Sequence, residues 1–384
     1  MKYDFDSITD RRNTDSVKWN VPENVLPMWV ADMDFKTSPE IIDALKERVG
    51  HGIFGYSDIP ERWSGAYVQW WSSRHGFVMD PDWLVFTTGV IPAVSSAVRR
   101  LTAPNENVVI QTPVYNIFFN SIVNNGARVL ENPLIYKDGR YEMDLADLEK
   151  KLSDPQTTLM ILCNPHNPVG RIWDRKTLAA VAELAAKYRV TVISDEIHCD
   201  LTIPGREYVP FASVSDAARD NSVTCIAPTK TFNIAGIQTA AVLVPDPFLR
   251  HKIRRALNTD EVAEPNAFAC LAAIAAYEKG APWLDELREY LYVSRKEVCR
   301  FFKDELSSVK VIESEATYLL WLDVSEIGSG SDVSEYLKNN CGVYLSPGNI
   351  YGGAGKDFLR LNIACPRAVL LEGLRRIKNG IKAL

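Results

Sequence analysis

No apolar run in this 384-residue chain approaches the roughly 18 residues that a membrane-crossing helix requires. The opening MKYDFDSITDRRNTDS alternates charge and lacks the apolar stretch of a secretory signal. Together these absences predict a cytoplasmic protein with no membrane partner. Basic excess is also missing: 43 Lys and Arg stand against 49 Asp and Glu, for a net charge of −6, and no long basic run occurs. Nucleic acid is therefore not an expected partner. The seven cysteines, Cys163, Cys199, Cys225, Cys270, Cys299, Cys341 and Cys365, are odd in number and scattered. No pair has CxxC spacing, which predicts neither a disulfide framework nor a metal centre. Cys163 and Cys225 fall in strand-like runs and read as buried thiols. Repeats and low-complexity tracts are absent, and GSGSD (328–332) reads as a short loop.

What is present suits a globular enzyme. Apolar residues make up 46% of the chain and charged residues 24%, enough for a sizeable core with an ordinary surface. The length exceeds that at which single cores stop growing, so two domains sharing a cleft are expected.

The stretch SVTCIAPTKTFNIAGIQTAA (222–241) organises the rest. Lys230 follows an apolar, β-branched run and precedes a Thr, Phe, Asn and Gly turn. It is either an exposed turn lysine or one whose amine reaches into a pocket. Upstream, TTLMILCNPHNPVG (157–170) is a buried-strand run that breaks into an Asn/Pro turn. VTVISDEIHCDL (190–201) is another run, ending in Asp195 and Glu196. Between them, DRKTLAAVAELAAKYR (174–189) has Leu178, Val181, Ala182 and Ala185 at helical spacing. Strand, helix and strand make a βαβ unit, hence a parallel sheet and an α/β fold. In such sheets ligands bind outside the carboxyl ends of the strands. Asn167, Asp195 and Lys230 all fall at such ends, so an amide, a carboxylate and an amine can face one cleft. That set suits pyridoxal 5'-phosphate, which needs a lysine amine for its aldehyde and an anion beside its ring nitrogen.

A second anion-binding feature lies earlier. WLVFTTGV (83–90) reads as a strand and IPAVSSAVRRLTA (91–103) as a helix starting at once. Free backbone N–H groups and the helix dipole at Gly89, Val90 and Ile91 then form a phosphate site.

The order NPHNPVG, SDEIH, TKTFNIAG resembles the fold-type I pyridoxal-phosphate enzymes of the class I/II aminotransferase superfamily. ADMDF (31–35), HGIFGYS (51–57), SDEIHCD, KTFNIAG, GAPWLDELREYL (280–291) and FLRLNIACPR (358–367) are similar to the MalY/PatB-type branch, that of cystathionine β-lyases, also called cysteine-S-conjugate β-lyases. The likeness runs over essentially the whole chain. It implies a mostly parallel large domain holding the cofactor (48–284) and a smaller α+β domain (1–47 with 285–384).

The resemblance also implies roles. Lys230 would bond the cofactor, Asp195 would partner its ring nitrogen, and Tyr115 would stack on its ring. Asn167 and His198 would lie beside it, His198 where many relatives have tyrosine. Tyr56 would reach across a homodimer interface to the partner subunit's cofactor phosphate. Gln238 stands where many aminotransferases carry a phosphate-binding arginine, and Ala227 where several have serine. Phosphate binding then rests more on the helix N-terminus, Thr229 and Tyr56. Arg360, in a probable strand, has the planar fork that matches a carboxylate with two parallel hydrogen bonds. The family likeness makes it the anchor of an amino-acid thioether substrate.

The residues alone do not separate two outcomes. A β-lyase and an aminotransferase both use Lys230 as base and diverge only afterwards. Branch resemblance favours the lyase, giving a thiol, pyruvate and ammonia. A third reading, also implied by the branch, is a cofactor-holding regulatory protein that docks on a partner.

Overall fold

The computed structural model describes residues 2–384. Its largest sheet has seven strands, numbered here in chain order: β1 (Leu84–Thr87), β2 (Asn107–Ile110), β3 (Arg128–Glu131), β4 (Thr157–Cys163), β5 (Thr191–Asp195), β6 (Ser222–Ile226) and β7 (Ala240–Leu243). In space they run β1-β7-β6-β5-β4-β2-β3. The pairs from β3 through β6 are parallel, whereas β7 is antiparallel to both β1 and β6.

The parallel strands are covered on both faces, which explains their nearly continuous apolar runs. All of β6 and nearly all of β4 and β5 are buried. Each buried Ile, Leu or Val there contributes about 1.5–3 kcal/mol relative to an exposed one. One cover is the helix Arg175–Tyr188, whose buried residues are Leu178, Val181, Ala182 and Ala185. It starts where Asp174 Oδ1 accepts from Thr177 N at 2.7 Å and stops at Arg189, in the left-handed conformation.

The chain order reverses beside β4. It steps from β2 out to β3, then returns to the other side of β2. Such a reversal splays the connections apart and opens a crevice at the carboxyl edge. A second peculiarity sits at the other end of the sheet. Because β7 runs opposite to β6, the chain leaving β6 turns back over that same edge, and Lys230 lies in this turn.

The helix Ala281–Glu305 leads to a second, four-stranded sheet. It comprises Lys310–Val311, Leu319–Asp323, Phe358–Asn362 and Ser346–Pro347, all antiparallel. Two helices, Gly330–Cys341 and Arg367–Ile381, pack with it. The GSGSD segment differs from its expected loop: Ser329 accepts from Asp332 N at 3.2 Å, and the helix begins at Gly330. A serine three residues before an aspartate is an N-cap pattern, and a Gly-rich composition hid it.

The two sheets meet at Gly170. A Cβ there would lie 2.4 Å from Ser314 Cβ, and its φ is +71°, so only glycine fits. Its carbonyl accepts from Glu315 N and Ala316 N at 2.7 and 3.0 Å, and Arg171 pairs with the Glu315 carboxylate at 2.7 Å. The NPHNPVG turn is thereby fastened to the smaller sheet.

Candidate active site

At the carboxyl edge of β1, β4, β5 and β6 lies a cavity of about 200 Å³. Gly89, Val90, Ile91, Tyr115, Asn167, Asp195, His198, Thr229 and Lys230 line it. These residues come from chain positions up to 141 apart (Gly89 to Lys230) and meet because each follows a strand ending at this edge. Arg360 is not in the lining but bonds to a residue that is. Tyr56 stands apart from this cavity and is fully exposed, in the extended stretch after the helix Pro39–His51. Gln238 is exposed, with φ +58°, and Ala227 is buried; neither lines the cavity.

The Lys230 side chain ends against the N-terminal arm. Its Nζ donates to Ala31 O at 2.5 Å. Burial and the nearby Arg360 guanidinium pull its pKa down to about 8, against the opposing effect of Asp32 and Asp195. About a tenth of this amine is then neutral at pH 7 and half at pH 8, far more than for an ordinary lysine. The arm that meets it is fixed by charge: Asp34 takes Lys18 Nζ at 2.7 Å and Arg11 Nη1 and Trp19 Nε1 at 2.8 Å, and Arg11 also pairs with Asp32. Lys18 and Asp34 are both buried, so each compensates the other.

Asp195, the last residue of β5, is also buried. Burial raises its pKa to about 6, opposed by the Ile197 backbone N–H and by Lys230. Its neighbours across the sheet are Cys163 on β4 and Cys225 on β6. Thiols solvate a carboxylate poorly, which leaves its charge in want of a cation. His198 is buried, and its pKa falls to about 3 through burial and the positive charges of Lys230 and Arg360. It is therefore a neutral imidazole, and its Nδ1 has no hydrogen-bond partner.

Arg360, on Phe358–Asn362, is 5% exposed. Its Nη1 donates to Asn167 Oδ1 at 3.1 Å and its Nη2 to Trp29 O at 2.8 Å, while Nε is buried without a partner. Among the described residues it forms no ion pair. A buried guanidinium held only by neutral acceptors retains an unbalanced charge next to the cavity. The helix Val90–Leu101 supplies the remaining electropositive wall. Its N-cap is Gly89, and no side chain caps its first turn.

Sequence reasoning passed over Ala31, Thr88 and Cys163, all of which line this cavity. Ala31 contributes a carbonyl, which leaves no signature in side-chain chemistry. Cys163 was read as a core thiol and is indeed buried, but its position ending β4 could have marked it.

The profile of the family Aminotransferase class I and II matches residues 23–377. The chain is 47% identical over 381 residues to the cystathionine beta-lyase PatB of Bacillus subtilis, covering 97% of this chain and 98% of that protein. The crystal structure of cystalysin from Treponema denticola, which contains pyridoxal 5'-phosphate, superposes with a TM-score of 0.97 at 33% identity and covers both chains fully. The pyridoxal-phosphate-bound C-S lyase of Staphylococcus hominis gives 0.93 at 32% identity, over 99% of this chain and 98% of that one. These superpositions, with the seven-stranded sheet, establish fold type I of the pyridoxal-phosphate enzymes. The chain belongs to the aminotransferase class I and II family.

Proposed function

We propose that this chain is a pyridoxal-phosphate-dependent carbon-sulfur β-lyase that cleaves cystathionine or a related cysteine S-conjugate to a thiol, pyruvate and ammonia. The observation that carries this reading is the convergence of Lys230 and Asp195 on one small cavity, with Arg360, free of ion pairs among the described residues, bonded to its lining residue Asn167, in a chain similar to cystathionine and C-S lyases.

The residues present fit the cofactor. Asp195 is a buried carboxylate in want of a cation, His198 Nδ1 is an orphaned polar atom, and the first turn of Val90–Leu101 is uncapped. When bound, pyridoxal phosphate supplies the electron sink that makes the substrate's Cα–H acidic. Lys230 is the residue that would bond it. Asp195 would keep the ring nitrogen protonated, since an adjacent anion favours the cation. Gly89, Val90, Ile91 and Thr229 would hold the phosphate, with Tyr56 of the partner subunit added in a homodimer. Tyr115 would cover the ring face.

Arg360 receives the substrate carboxylate on its planar fork, exchanging Trp29 O or Asn167 Oδ1 for a charged acceptor. Lys230, as a neutral amine, would take the substrate's Cα proton as general base. The same amine can return that proton. The site would discriminate among thioethers by only about 1–3 kcal/mol per methylene. We further propose a division at 48–284 and at 1–47 with 285–384, the smaller part carrying Arg360 over the cleft, and a cytoplasmic homodimer. No described helix is long and apolar enough to cross a membrane.

The test is an assay with cystathionine and no keto acid, which should release pyruvate and thiol in equal amounts. Turnover that instead requires an added keto acid would move the chain to the transaminating members of its family.

A further inference from the structure

Thr231 follows the cavity lysine and faces away from the cavity. Its Oγ1 donates to Asp200 Oδ2 at 3.0 Å, and both residues are buried. The other Asp200 oxygen accepts from Trp70 Nε1 at 2.9 Å and from His75 Nε2 at 3.0 Å, both on the helix Glu61–His75. Asp200 itself lies in the turn that leaves β5 just after Asp195 and His198.

One buried carboxylate therefore ties together three separate pieces of chain: the turn bearing Asp195, the turn bearing Lys230 and a long helix. Burial pushes the Asp200 carboxyl up, but the hydrogen bonds from His75 and Trp70 and the charge of Arg74 outweigh it, and its pKa is lowered. Cys199 also brings its thiol within 4.8 Å of these groups. Burial holds that thiol well above its usual pKa. With both Asp200 oxygens and His75 Nε2 already engaged, the cluster works as a hydrogen-bond junction and not as a metal site.

The Lys230 turn is clamped on its other side too. Asn233, at φ +55°, donates to Met33 O at 3.0 Å and Phe35 O at 2.9 Å and accepts from Met33 N at 3.0 Å. This second clamp fixes the arm segment whose Ala31 carbonyl receives the lysine. Lys230 thus stands between two fastenings, and among the described side-chain hydrogen bonds it is the Asp200 side that connects it to the turn of Asp195.

We propose that Asp200 is a positioning residue: through Thr231 it holds the Lys230 turn at a fixed reach from Asp195, so that the amine stands where it must both bond the cofactor and move the substrate proton. The proposal rests on Lys230 as the cofactor lysine. Asp200 touches neither substrate nor cofactor, and the effect is geometric. A misplacement of about 1 Å costs about 10²-fold in rate.

The test compares Thr231→Val, which keeps the volume and deletes the hydroxyl, with Thr231→Ser, which keeps the hydroxyl, and with Asp200→Asn. Each holoenzyme is titrated for the pH midpoint of its visible cofactor band and followed for cofactor release, and kcat and KM are measured separately. Thr231→Val is expected to lower kcat about 10- to 100-fold with KM little changed, to move the band midpoint and to speed cofactor release. Asp200→Asn should follow it, and Thr231→Ser should match the parent protein. A Thr231→Val protein with the parent's midpoint and release rate, whatever its melting temperature, would overturn the proposal. So would a Thr231→Ser protein as impaired as Thr231→Val. Should the parent protein form no visible band with added pyridoxal phosphate, the assignment of Lys230 fails and not the tether. If Asp200→Asn does not fold, the two Thr231 variants decide.

Discussion

Arg360 Nη1 donates to Asn167 Oδ1 at 3.1 Å, joining the second sheet to the turn after β4 at the rim of the cavity. Asn167 is an acceptor without charge, so this contact orients the guanidinium while leaving its charge to be met by a ligand. Arg360→Ala should therefore lower kcat/KM for an amino-acid thioether by about 10² or more, roughly 3 kcal/mol of lost anchoring. Arg360→Lys should recover little, since an ammonium lacks the fork. Steady-state kinetics on both variants check this, and a substrate without its carboxylate should react equally poorly with parent and variant.

The buried Asp195 carries an apparent cost in the cofactor-free protein. Its folded pKa, about 6, lies above the unfolded 3.8, so the folded chain holds the proton more tightly. The sign follows: below pH 3.8 the group costs nothing, and through pH 6 and above it destabilises the fold by about 3 kcal/mol. Asp195→Asn should raise the melting temperature of the apoprotein at pH 7.5 and abolish turnover. A lower melting temperature would contradict the reading of this carboxylate as ionised and under-solvated.

Lys230 titrates in the opposite sense. Its folded pKa, about 8, lies below the ordinary 10.5, so the neutral amine is present from about pH 8 upward. The rate at which apoprotein captures pyridoxal phosphate should climb through about pH 7–9 and level off above it. Stopped-flow absorbance measures this directly. A curve still rising at pH 10 would mean that the amine keeps its ordinary pKa.

Tyr56 gives a prediction that depends on assembly. Its side chain is fully exposed and outside its own chain's cavity, as a residue serving a partner subunit must be. Tyr56→Phe should weaken cofactor retention in the proposed dimer without changing the elution volume in size-exclusion chromatography. Equal retention in both proteins would remove Tyr56 from the phosphate site.

Local chemistry was enough to place much of this cavity. Asn167, Asp195 and Lys230 each end an apolar run, and a parallel sheet brings such ends to one edge whatever the loop details. The helix expected over 174–189 forms as Arg175–Tyr188 because its apolar spacing and its Asp174 cap are local properties. The strand–glycine–helix pattern at Gly89 was legible for the same reason.

What stayed hidden depends on contacts between distant segments. The antiparallel strand β7, inserted between β1 and β6, turns the chain back over the cavity. Nothing within residues 240–243 distinguishes its direction. Ala31 O meets Lys230 Nζ across 199 residues, and Arg360 meets Asn167 across 193. Asp200 and Thr231 were unremarkable in sequence, an acid after a strand and a hydroxyl beside a lysine. Their bond exists only because β5 and β6 are neighbours and the helix Glu61–His75 packs behind them. The sequence by itself determined which groups sit at strand ends and hence which chemistry the edge can hold. The tertiary structure alone decided their separations, their burial and so their charge states, because desolvation and hydrogen bonding across a fold are properties of packed surfaces and not of residue order.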